Sequence, residues 1–138
     1  MKVETAREKF LTNFEVYEHL NEVRERAKAT HQVAQTQNLD TIAIEIQSYL
    51  RERPTANPEF AQSQESITAF LKALHQEGFE LEKAERLQLI NSAPSSEPVL
   101  YNLIEDCEQR FPEDRVQRLL ELVQEHLGYE PMPEMKDE

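Results

Sequence analysis

The sequence predicts an all-α protein: a bundle of short helices led by an N-terminal arm and helix. Three observations carry that reading. Apolar residues recur at helical spacing in almost every segment. Glycine occurs only at Gly78 and Gly128, too sparsely for a turn-rich β fold or a glycine-rich phosphate loop. Only 38% of the 138 residues are hydrophobic and mean hydropathy is −0.72. The core is therefore thin for the length, which leaves apolar surface for a partner to complete.

Residues 2–10 form an arm, or a short strand, around Val3. A helix starts at Asn13, where Thr12, Asn13, Phe14 and Glu15 spell a capping box. The Thr12 hydroxyl accepts from a free N–H one turn in, and Glu15 reaches back to Thr12. Leu11 and Val16 flank the box at staple spacing. Phe14, Tyr17, Leu20 and Val23 extend an apolar stripe to about Ala29. The run THQVAQTQN has no periodicity and reads as a linker over 30–38.

The second helix spans Thr41 to Arg53, with Ile42, Ile46, Tyr49 and Leu50 on one face. Ile42, Ile44 and Ile46 also alternate, so a strand competes with it; length and a basic end favour the helix. PTANP at 54–58 is a loop. The third helix buries Ile67, Phe70, Leu71 and Leu74 and stops at Gly78, a natural left-handed terminator. The fourth, over 82–91, buries Ala84, Leu87 and Ile90. SAPSSEP at 92–98 turns the chain into a fifth helix, with Pro98 in its first turn. Its inward residues are Val99, Leu100, Leu103, Ile104 and Cys107. Phe111 and Pro112 interrupt the chain. A last helix carries Val116, Leu119, Leu120, Val123 and Leu127 and stops at Gly128. The tail from 129 to 138 is proline-broken and acidic, a composition that favours disorder. The organisation is thus 1–29 as N-terminal segment and helix, 30–38 as linker, 39–128 as helical domain and 129–138 as tail.

The formal charge of −12 is uneven. Residues 1–58 carry net −1 and residues 59–138 net −11. So acidic a bundle repels phosphates and suits basic protein surfaces instead. Cys107 is the only cysteine, which excludes an internal disulfide and points to a reducing compartment. The N-terminus has no apolar run of the secretory kind. No stretch approaches the roughly 20 apolar residues of a membrane helix. A soluble, intracellular protein is expected.

No catalytic set converges. His19, His31, His75 and His126 have no metal spacing. Glu15 and His19, one turn apart, lack a third ligand and read as a solvated pair. Cys107 lies on an apolar stripe and reads as a buried thiol. Glu105, Asp106 and Glu108 read as a wet helix face, since a calcium loop needs a glycine they lack. Phe14 and Tyr17 are the ambiguous residues. Core is the default for such a stripe, but a linker sets this helix apart from the bundle, which favours burial by another chain.

Taken in order, MKV, FLTNFEVYEHL, AFLKAL, ELEKAERLQLINSAPSSEPVLYNLIEDCEQR and VQRLLELV resemble the Rpb4/Rpc9 family of RNA polymerase stalk subunits, over residues 1–127. No single piece is a sharp motif; their combined order is specific. The resemblance implies an HRDC-like helical domain, centred on Leu81–Leu122, behind a tip-associated N-terminal segment. It implies a non-catalytic protein that pairs with an Rpb7-like larger subunit bearing a tip and an OB-fold domain. The residues it assigns to that docking are Val3, Phe10, Leu11, Phe14, Val16, Tyr17, Leu20 and Val23. The start at MKV is expected of the polymerase III branch, where the stalk assists initiation in the nucleus through the TFIIB-related factor of TFIIIB. The alternatives are the equivalent subunit of another polymerase and a free HRDC-type nucleic-acid module. Direct nucleic-acid binding is expected to be slight, no cofactor is implied, and RNA contact falls to the OB-fold partner. Two positions depart from the family pattern. Glu82 stands where Thr usually caps the fourth helix and is a poorer cap. Pro112 replaces the Thr before the last helix and is expected to shift that start by one residue.

Overall fold

A computed structural model describes residues 2–31, 37–57 and 62–127. Most of the linker expected at 30–38, the Gly128 stop and the 129–138 tail lie outside the described residues. Among these the chain forms seven helices and no strand: α1 (Asn13–Ala29), α2 (Gln37–Arg51), α3 (Gln64–Gln76), α4 (Lys83–Ser92), α5 (Glu97–Leu103), α6 (Cys107–Arg110) and α7 (Glu113–His126). The all-α expectation holds. Residues 2–10 form an arm without strand structure.

α1 begins where its capping box requires. The Glu15 N–H donates to Thr12 Oγ1 at 3.1 Å, and the Thr12 N–H donates to Glu15 Oε1 at 3.3 Å. α1 does not stand apart, as the linker had suggested. The Asn13 N–H donates to Asn91 Oδ1 of α4 at 2.8 Å, and the helix lies against α2. A polar network joins the pair. Gln47, 1% exposed, donates to Asn21 Oδ1 at 2.5 Å and accepts from the Arg24 guanidinium at 2.7 Å. Arg24 also holds Asp40 at 3.0 Å. A buried amide with both ends satisfied fixes the register of two helices that share little apolar surface. Gln47→Ala strands the Asn21 amide and one arm of Arg24. It is expected to cost about 1–3 kcal/mol, read as faster amide exchange across α1 with little change in α7.

The apolar core lies in the other five helices. α3 packs along α7, joining Phe70 and Leu74 to Val116, Leu119, Leu120, Leu122 and Val123, with Leu89, Leu100 and Ile104 completing the cluster. α3 ends through Glu77 and Gly78, whose φ of +74° is the left-handed conformation glycine adopts without steric cost. The turn that follows is tied to α7. Arg118 Nε donates to Glu77 Oε1 at 2.7 Å, and Arg115 lies 4.0 Å over the Phe79 ring. The Glu77 and Glu121 carboxylates hold the Arg118 proton, raising its pKa. Pro112 occupies the residue before α7, which starts at Glu113.

The structure differs from the sequence reading at three helices. The expected fifth helix is two: Asp106, at φ +51°, breaks it between α5 and α6. Asp is among the few residues that tolerate this backbone. The break frees the Glu105 carbonyl, which accepts from Arg110 Nη1 at 3.0 Å. Val99 points outward, 42% exposed. In α4 the buried residues are Glu85, Leu89 and Ile90, while Ala84 is exposed and Leu87 half-buried. Arg110 causes that rotation: its Nη1 donates to both Glu85 oxygens at 2.9 Å and its Nη2 to the Glu80 carbonyl at 2.9 Å. In α2 the inward residues are Ala43, Gln47 and Leu50, and Ile42, Ile46 and Tyr49 face outward. Gln47 turns that helix, because its amide finds partners only against α1.

Candidate partner-docking surface

None of the eight residues assigned to docking is buried. On the arm, Val3, Phe10 and Leu11 are exposed by 69%, 56% and 40%. On α1, Phe14, Val16, Tyr17, Leu20 and Val23 are half-buried, and the helix has no buried residue at all. The structure thus divides the set. The arm residues are free, and the helical ones have one side covered by this chain. Tyr17 Oη accepts from Arg51 Nε of α2 at 3.3 Å. Phe14 and Leu11 line a cleft of about 560 Å³ against Ile67 and Thr68 of α3. The Arg7 guanidinium sits 5.3 Å over the Phe10 ring, a contact compatible with wide exposure.

A second strip was missed in the sequence. Leu39, Ile42, Ile46 and Tyr49 of α2 are 48%, 54%, 36% and 54% exposed. Their spacing of three, four and three residues places them on one stripe. Periodicity found most of the stripe but turned it inward. Because α1 and α2 lie side by side, arm, α1 and α2 present their uncovered apolar residues from one two-helix unit. Apolar residues grouped in this way mark an interaction site rather than the scattered exposure normal for a surface. Two of the basic residues beside them are occupied: Arg24 by Asp40 and Gln47, and Arg53 over the Tyr49 ring at 4.9 Å.

Nucleophile and metal chemistry find little purchase. Cys107 is 3% exposed, and burial pushes its thiol pKa up. Native chain is therefore expected to resist iodoacetamide at pH 8 and to label fully in denaturant; rapid native labelling would place the thiol at the surface. Among the described residues no group of three His, Cys, Asp or Glu is placed to hold a metal ion, and no helix is long and apolar enough to cross a membrane.

A family model described as RNA polymerase Rpb4 matches residues 10–127. The chain belongs to the RNA polymerase Rpb4 family. Its members are non-catalytic polymerase subunits. The match takes in all seven helices and leaves most of the arm, with Val3, ahead of it. The chain is 38% identical to the DNA-directed RNA polymerase III subunit rpc9 of Schizosaccharomyces pombe over 129 residues, covering 89% of this chain and 96% of that protein. It is 29% identical to the subunit rpc9 of Dictyostelium discoideum over 128 residues, 93% and 91% of the two chains. A shorter alignment, 36% identical over 61 residues, relates it to subunit RPC9 of Saccharomyces cerevisiae, with 44% and 37% covered. The Rpb4-family helices here are thus the scaffold, and the uncovered strip on arm, α1 and α2 is its candidate working surface.

Proposed function

We propose that this chain is the smaller stalk subunit of RNA polymerase III, a non-catalytic protein that forms a heterodimer with an Rpb7-like larger subunit. The observation that carries the reading is a set of apolar residues left exposed on the arm and α2 and half-covered on α1, on a chain of the Rpb4 family. The polymerase III assignment follows from relatives that bear that subunit's name across nine-tenths of the chain. In this reading Val3, Phe10 and Leu11 enter the partner first, because they are free. Phe14, Val16, Tyr17, Leu20 and Val23 follow as a half-covered edge, with the α2 stripe beside them. Assembly on the polymerase core in the nucleus, and contact with the TFIIB-related factor of TFIIIB during initiation, complete the role. The chain's net charge of −12 assigns RNA contact to the partner rather than to this surface.

The test is co-expression with the larger subunit, followed by affinity capture of the pair from cells and mass spectrometry. A 1:1 complex that brings polymerase III down is the expected result. A monomer that never joins the larger subunit overturns the reading, and capture of polymerase II instead reassigns the branch. Phe10→Ala is expected to weaken the heterodimer by about 2 kcal/mol or more while leaving the free chain's melting temperature unchanged, as measured by titration calorimetry and thermal unfolding.

A further inference from the structure

One cleft lies outside the docking strip's α1 and α2 faces. Holding Glu85 inward against Arg110 turns Lys83, Ala84 and Arg86 of α4 to solvent and leaves Leu87 half-buried. Lys83, Arg86, Leu87 and Ile90 recur at helical spacing along one side of that helix. With Leu71 of α3 and Phe10 of the arm they line a cleft of about 500 Å³, a size that holds a few side chains of a peptide. Lys9 of the arm adds a third cation. Among the described residues, the side chains of Lys9, Lys83 and Arg86 make no ion pair and no hydrogen bond. The one carboxylate in the lining, Glu15, is already engaged by the Thr12 N–H.

The chain holds 27 acidic side chains against 15 basic ones, so its cations have carboxylates in plenty. Arg24, Arg110 and Arg118 each take at least one. The three cations of the cleft take none, and the floor between them is apolar. Such a site matches a ligand that is apolar at its centre and negative at its edges. Bulky side chains of that ligand bury themselves on Leu71, Ala84 and Leu87. Its carboxylates meet the cations beside a surface that water has left, where charge-assisted hydrogen bonds are strong. A nucleic acid fits less well. It carries a phosphate at every residue, and those beyond the cleft would meet the net −11 of residues 59–138. An acidic peptide confines its charge to the few positions that face the cations.

We propose that this cleft takes an acidic peptide segment of another protein, one with bulky apolar side chains between its carboxylates. The site is separate from the heterodimer surface. α3 and α4 supply most of its floor and two of its three cations, so it does not depend on what the arm binds. It gives a strongly acidic chain one place to hold an acidic partner that its overall charge would otherwise turn away.

The test is a peptide array randomised over Asp, Glu, Leu, Phe and Ser, probed with the full chain and again with the larger subunit added. The expected result is retention of sequences in which carboxylates flank Leu or Phe. Binding of these falls about tenfold in Lys83→Glu/Arg86→Glu and in Ala84→Glu, and weakens in high salt. Lysine in place of the acidic residues of the retained peptides restores binding to the double variant. All three substituted side chains are exposed, so both variants keep the melting temperature of the parent chain. An array that retains nothing, or retention that ignores both variants, overturns the proposal. So does equal competition by oligouridylate, which would make the cleft a phosphate site. Loss of the peptides when the larger subunit is added also overturns it, by assigning the cleft to that subunit.

Discussion

Phe70→Ala is expected to lower the free energy of unfolding by about 4 kcal/mol, a large share of the roughly 5–15 kcal/mol of a domain this size. Phe70 is fully buried on α3, within the cluster that joins α3 to α7, α4 and α5. Removing the ring forfeits its transfer from water and leaves a void that rigid helices on all sides cannot close. Urea denaturation should show the midpoint falling with an unchanged slope, since the folded and unfolded surfaces stay alike. A change below about 1 kcal/mol would mean that the α3–α7 contact is not the centre of the fold.

Ile42→Asp combined with Tyr49→Ala is expected to leave the free chain's stability within about 0.5 kcal/mol and to weaken the proposed heterodimer by about 4 kcal/mol, close to a thousandfold in Kd. Both side chains are more than half exposed in the free chain, so the fold loses little when they go. In the complex the aspartate would sit desolvated among apolar atoms without a partner. The paired measurement separates the two uses of an apolar helix face. Unfolding of the free variant would place the stripe in the core after all. Full-strength binding by a stable variant would confine the interface to the arm and α1.

Sequence reasoning succeeded where a signal is local. The α1 start is written in four consecutive residues, and Thr12 and Glu15 make both halves of their box. Gly78 ends α3 because a left-handed residue is needed one step past the helix. The α7 stripe of Val116, Leu119, Leu120 and Val123 is buried as its spacing indicates. At α2 and α4 the stripe was visible but its direction was not. Each helix carries a polar side chain, Gln47 or Glu85, with a hydrogen-bond partner 23 to 26 residues away. Satisfying that buried polar group turns the helix and exposes the neighbouring apolar residues, a cost that burying the stripe would exceed by stranding an amide or a carboxylate. The split between α5 and α6 was hidden for the same reason, since Asp106 reads as an ordinary wet helical residue until Arg110 claims the carbonyl beside it.

The candidate site was legible as a list of residues and illegible as a surface. The family resemblance and the capping box together placed Phe14 and Tyr17 on an unusually well-defined helix. Their half-buried state, and the α2 stripe that lies beside them, depended on how α1 meets α2. By itself the sequence determined the helical class, the α1 start, the α3 stop, the acidic balance and the family, because these rest on neighbours in the chain and on composition. Tertiary structure decided which apolar faces are core and which are offered to a partner, because that choice is made by distant polar groups, Gln47 with Arg24 and Glu85 with Arg110, that must be satisfied before any helix can settle.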